Sequence, residues 1–248
     1  MMNRLLNCAV FSAALLCASV SVGADAVSPL SALRRFAEIR CTGYSGSETL
    51  SEFPMLVKIR TDVPYGFRYA DTRIDGSDIT FCLPDGTTLR SECDRWDPFG
   101  ESVFWVRVPS FSRDTVICMC WDLVEGRNVP ENNPTRVWKE YVGVWHMNGG
   151  SGKETDVTGH GLDGTPTGNG LGQMSEATDA VVGVGRVNQT DDPKDTSTGN
   201  YLSVPAYDAF IADYSVFTVS GWFRKSFHTT ASSRTILSPR EIILALLC

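Results

Sequence analysis

Short runs in which successive side chains alternate between two faces recur along this chain, separated by Gly, Pro and Asp. An extended backbone is the conformation that gives a period of two, so these runs constrain the fold more than any other feature. In residues 55–61, Met55, Val57 and Ile59 oppose Leu56, Lys58 and Arg60. Residues 78–83 form a second run, closed by Pro84-Asp85-Gly86-Thr87, with Pro and Gly where turn geometry favours them. Residues 103–108 form a third, which Pro109 is expected to stop, and residues 115–121 a fourth, with Val116, Cys118 and Cys120 opposite Ile117, Met119 and Trp121. An apolar and basic segment ahead of them, residues 30–39, reads as helical. The second half alternates again in residues 141–147, followed by a Gly/Val run over 181–187 and a short β-prone run starting at Tyr201. It does so most clearly in residues 216–223, where Phe217, Val219, Gly221 and Phe223 share one face and Val216, Thr218, Ser220 and Trp222 the other. The expected fold class is all-β, with two β-sandwich, jelly-roll-like domains.

Residues 124–135 interrupt this pattern with Glu125-Gly126-Arg127-Asn128, Pro130 and Pro134, which marks a domain boundary. The chain of 248 residues then reads as a domain over 27–133 and a second over 137–248. A formal net charge of −7 argues against nucleic acid or an anionic membrane as partner.

Arg4, the apolar run 5–20 and Ala24-Asp25-Ala26 have the order of a signal peptide over residues 1–26. The run falls short of the ~18 residues a retained anchor needs. The chain is therefore expected to be secreted, periplasmic or on the cell surface, and not to span a membrane once the leader is removed. Cys8 and Cys17 lie in the leader, leaving six of the eight cysteines: Cys41, Cys82, Cys93, Cys118, Cys120 and Cys248. In an oxidising compartment some should pair. Cys82 and Cys93 bracket the Pro84-Asp85-Gly86 turn, so a cross-hairpin bridge is the first expectation. Cys118 and Cys120 share a face and do not easily join each other. Zinc is the weaker alternative, since no CxxC occurs and His146, His160 and His228 are scattered.

Several residues carry candidate chemistry. Asp75, Asp78, Asp94 and Asp97 could supply the paired carboxylates of glycosidic acid/base work; alternatively Asp75-Gly76 and Asp97-Pro98 are turn residues capping their own loops. Trp96, Trp105 and Trp121 could stack on sugar rings or anchor a core. In the second half Asp156, Asp163, Asp191, Asp192 and Asp195 offer oxygen ligands for calcium, the one cofactor considered, although no dense D-x-D-x-D spacing is present. His160, between Gly159 and Gly161, reads as a loop residue. Asn188-Gln189-Thr190 fits the N-glycosylation pattern.

Two resemblances follow from particular segments. Residues 53–59 (FPMLVKI), 75–81 (DGSDITF), Trp96-Asp97, 104–109 (FWVRVP) and the 116–121 strand resemble, in order and spacing, a bacterial domain of unknown function. That domain occurs in secreted and cell-envelope proteins, commonly upstream of a laminin-G-like domain, and brings no catalytic residues to carry over. VWHMN, DVTGHGLDGT, VGVGRVN, NYLSVP and FTVSGWF then resemble the start of a laminin-G-like domain of the concanavalin A-like lectin/glucanase superfamily. This resemblance implies a curved jelly-roll sandwich and, in some members, calcium. The hydrolases of that superfamily carry E-x-D-x-E or E-x-D-x-x-E, which is absent here; Glu176 with Asp179 lacks the second glutamate. Only 25 residues follow Phe223, and the tail from Ser238 to Cys248 leaves the family's alternation, so the second domain reads as truncated or frameshifted.

These readings lead to an expected secreted or envelope protein that binds a glycan or an extracellular protein without catalysis. A glycoside hydrolase or lyase using loop carboxylates is the second expectation. The third is a fragment of a larger envelope or biopolymer-transport accessory protein.

Overall fold

A computed structural model describes residues 35–41, 43–60, 66–121, 132–167, 175–177, 180, 182–187, 201–205, 218–222 and 246–247. These residues are all-β: strands arranged in antiparallel sheets, with almost no helix. The chain divides into two compact units, Met1–Val137 and Trp138–Cys248. The expected leader, residues 1–26, lies outside the described residues.

Among the described residues, the first unit contains two three-stranded antiparallel sheets. One has β2 (Leu50–Arg60), β5 (Glu101–Phe111) and β4 (Arg90–Arg95), with β5 in the middle. The other has β1 (Arg35–Arg40), β6 (Val116–Trp121) and β3 (Thr80–Cys82), with β6 in the middle. Alternation decides which side chains meet. Ala37 and Ile39, Met55, Val57 and Ile59, Phe81, Phe104, Val106 and Val108, and Ile117, Met119 and Trp121 all enter one hydrophobic cluster. Both sheets therefore contribute to a single core, and aromatic edges join them. Trp121 meets Phe67 (5.2 Å between ring centroids), Phe67 meets Tyr69 (5.1 Å), Tyr69 meets Trp96 (5.0 Å), and Phe104 meets Phe81 (5.4 Å).

Three sequence expectations change here. Residues 35–40 are a strand, not part of a helix: Ala37 and Ile39 enter the core, and the segment pairs with β6 from Arg35↔Trp121 to Arg40↔Val116. Pro109 does not end β5, which continues to Phe111. Pro109 stands opposite Glu52, where the β2–β5 ladder carries no pair, so the missing proline N–H leaves no partner unmet. Glu52 takes a φ of 54° at that point, and its carboxylate pairs with Arg107. The third change concerns Cys82 and Cys93. The 82–93 stretch is not one hairpin: Cys82 bridges Thr88, after which the chain crosses to the other sheet as β4. Both residues are thiols in this structure, not bonded to each other.

The breaker-rich stretch also contains order. Asn133 and Pro134 start a one-turn helix, α1 (Pro134–Val137), with Pro at its first position and the Asn133 side chain accepting from the Arg136 N–H (3.2 Å). Arg107, buried on the outer face of β5, donates to the carbonyls of Arg136 (3.2 Å) and Val137 (3.3 Å) at the helix end. Asn132 Oδ1 accepts from the Cys93 N–H (2.9 Å) and Asn133 N–H donates to the Ser91 carbonyl (3.3 Å), so this segment covers part of the β4 edge.

The second unit contains short strands. β7 (Tyr141–Gly143), β13 (Leu246–Leu247) and β12 (Thr218–Val219) form one sheet with β13 in the middle. β8 (Thr165–Thr167) pairs with β11 (Tyr201–Ser203), and β9 (Ser175–Ala177) with β10 (Gly185–Val187). Leu246 and Leu247, in the tail that leaves the expected alternation, are thus paired on both sides.

Candidate functional site

Two loops of the first unit meet at Trp96. The indole N–H donates to the Ile74 carbonyl (2.9 Å), and the ring packs edge-on against Tyr69. Gly76 makes the approach feasible: its φ is 66°, and a Cβ there would lie 2.5 Å from Trp96 Cδ2. Each loop is tied internally by a carboxylate. Asp75 Oδ1 accepts from the Ser77 N–H (3.0 Å), and Asp78 Oδ1 from the Arg73 N–H (2.9 Å). Asp97 Oδ1 accepts from the Phe99 N–H (3.0 Å), its Oδ2 pairs with Arg95 (2.8 Å), and its own N–H donates to Ser102 Oγ (2.8 Å). The hydrogen bond from Ser77 holds the Asp75 carboxyl below the usual aspartate range.

These loops carry Ile74 and Phe99, each 96% exposed, against the burial usual for such side chains. Two large apolar side chains are therefore presented on a braced loop pair that contains a half-buried tryptophan. Composition gave no signal for them, since exposure depends on loop geometry.

The other two tryptophans lie elsewhere. Trp121 is buried in the core and offers no ring face to a ligand. Trp105 is on β5 with its side chain on the opposite face from Phe104 and Val106, and its N–H points to Asp94 Oδ2 at 3.4 Å. The three do not form one platform. Of the four candidate aspartates of the first half, Asp75, Asp78 and Asp97 are engaged by N–H groups of their own loops, and Asp94 faces Trp105.

In the second unit the 156–164 loop folds back on residues 142–145 around Asp156. The buried Asp156 carboxylate accepts through Oδ1 from the N–H groups of Val144 (3.2 Å) and Thr158 (3.1 Å), and through Oδ2 from the Leu162 N–H (3.1 Å). The Thr158 hydroxyl adds a contact at 2.7 Å. Asp163 Oδ1 accepts from the Asp156 N–H (3.0 Å), Trp145 Nε1–H donates to the Leu162 carbonyl (2.8 Å), and His160 Nδ1 lies 2.9 Å from the Val142 carbonyl. Positive φ at Gly159 (88°) and Gly161 (74°) lets the chain turn on each side of His160. Glu154, also buried, accepts from Asn148 N–H (3.0 Å), Gly149 N–H (3.1 Å) and Arg186 Nε (2.7 Å). Asp156 and Asp163 thus organise backbone. Asp191 and Asp192 lie outside the described residues. Among the described residues, no group of three or more His, Cys, Asp or Glu side chains is arranged to hold a metal ion. No helix among them is long and apolar enough to cross a membrane.

The chain matches no protein-family model, no curated protein and no solved structure.

Proposed function

We propose that this chain is an exported, non-catalytic recognition protein of the cell surface or periplasm, binding carbohydrate through the Trp96 loop pair of its first unit. The observation that carries this reading is the near-complete exposure of Ile74 and Phe99 on loops joined by the Trp96–Ile74 hydrogen bond. Sugar rings present C–H faces to aromatic and aliphatic side chains, and a surface already ordered loses little entropy on binding. The signal-peptide pattern supports export. The resemblance of the second half to laminin-G-like domains supports recognition there as well, as does Trp222, 42% exposed in its Ser-Gly-Trp segment. In this reading the two sheets of the first unit form a sandwich whose loops at one end carry the binding surface, and calcium is not required.

The test is retention of the purified full chain on a panel of polysaccharides, peptidoglycan and cellulose included, with reducing-sugar release measured in parallel. We expect saturable binding without sugar release, weakened tenfold or more by Phe99→Ser. Turnover of a polysaccharide would replace this reading with the hydrolase one.

A further inference from the structure

The outer face of the β1–β6–β3 sheet contains a small cluster of its own, made of Cys82, Cys118 and Cys120, all buried. Its geometry follows from register. Cys82 on β3 is the direct partner of Cys118 on β6, and Thr80 is the partner of Cys120. Opposed residues of an antiparallel pair have Cα atoms about 4.5–5.5 Å apart, inside the roughly 4.4–6.8 Å that a disulfide spans. The Cys82 Sγ also lies 3.6 Å from the Cys120 Sγ. Cys118 and Cys120, two apart on one strand, both present sulfur to the same neighbour. Cys93 is on the other sheet and packs against the main core.

We propose that Cys82 is the branch point of a three-thiol centre, forming one disulfide with β6 in which Cys118 and Cys120 are interchangeable partners. Formation removes two electrons and two protons from the Cys82 thiol and one β6 thiol. They pass to a disulfide oxidant, such as oxidised glutathione or a dithiol–disulfide protein, which leaves as two thiols. Interchange needs no oxidant. The Cys120 sulfur attacks the Cys82 sulfur, the Cys82–Cys120 bond forms, and the Cys82–Cys118 bond breaks. The proton lost by Cys120 goes to Cys118.

Oxidation belongs to folding, before the sheet is covered. In the folded protein the Cys118 thiol is held above its usual range by its hydrogen bond to Cys82 and by burial, which removes the attacking thiolate. On Cys82 the Cys118 bond acts downward, but the Cys120 bond and burial outweigh it and leave the thiol at about 12. This chemistry is independent of the loop surface carrying Ile74 and Phe99.

The experiment is refolding of the reduced full chain in a glutathione redox buffer, acid quenching, alkylation of remaining thiols and peptide mapping of the monomer. Trypsin separates Cys82 (residues 74–90), Cys93 (residues 91–95) and the Cys118/Cys120 pair (residues 114–127). We expect peptide 74–90 joined to 114–127 in the parent chain, in Cys118→Ser and in Cys120→Ser, with the link lost in Cys82→Ser. The oxidised parent should also unfold at higher urea than the reduced one. Loss of the link in either β6 variant, a link from 74–90 to 91–95, or full alkylation of Cys82 would overturn the assignment. Should Cys82→Ser fail to fold, the two β6 variants decide the matter alone.

Discussion

Gly76 shows how much one residue can determine here. With a φ of 66° and the Trp96 indole 2.5 Å from where a Cβ would sit, it meets two requirements that only glycine satisfies together. We expect Gly76→Ala to cost about 2 kcal/mol or more from backbone strain and overpacking. Urea denaturation would show the loss, and tryptophan emission should shift as Trp96 is displaced. An unchanged midpoint would mean the loops do not meet as described. Asp156 is the corresponding residue of the second unit. Asp156→Ala leaves the N–H groups of Val144, Thr158 and Leu162 without their acceptor, and we expect a cost of about 3 kcal/mol. Limited proteolysis within residues 142–164 should accelerate accordingly; adding calcium to the parent should not slow it. Both positions were visible in the sequence as members of loops. Their roles were not, because a carboxylate that binds a cation and one that accepts backbone N–H groups occur in the same Asp-Gly-rich stretches.

At the scale of elements, β2 and β5 are joined at one end by Glu101. It pairs with Lys58 (2.9 Å) and with Arg60 (2.8 Å), its partner across the ladder. Burial raises the Glu101 pKa, but the two cations outweigh it and the net shift is downward from the ordinary 4.5. Asp71, which pairs with Arg68, and Asp85, which accepts from the Thr87 N–H, are lowered as well. A carboxyl with a depressed folded-state pKa adds stability that is whole above the unfolded value. That stability is lost as pH falls through the folded one. The urea midpoint should therefore hold above pH ~5 and fall progressively below pH ~4. Glu101→Gln should flatten part of that fall; an equal slope would remove Glu101 from the account.

Strands were legible where alternation was clean, as in residues 55–60 and 116–121. They were not legible at Arg35–Arg40, where two basic and three apolar residues fit a helical turn until β6 supplies the pairing. Residues 90–95 passed unread because Arg90, Glu92, Asp94 and Arg95 do not suggest a strand. Glu92 is nonetheless buried, and β4 takes its place through pairing with β5. Pro109 misled because the rule against proline in strands fails where the ladder carries no pair.

For the whole molecule, the all-β character follows from local alternation, and the division after Val137 falls close to the breaker-rich stretch. The pairing of two sheets around one core could not be read locally, since any apolar face needs a partner and periodicity does not say which. The exposed apolar pair was less legible still: Ile74 and Phe99 are apolar residues like those inside, distinguished only by where their loops end. We propose that these two side chains bind ligand without being needed for the fold. Equilibrium binding of the full chain and of its Ile74→Ser/Phe99→Ser variant to the polysaccharide that retains the parent tests it most directly. We expect a melting temperature unchanged within a degree or two and affinity reduced at least tenfold. Equal affinity in the parent and the variant, with both folded, would contradict it.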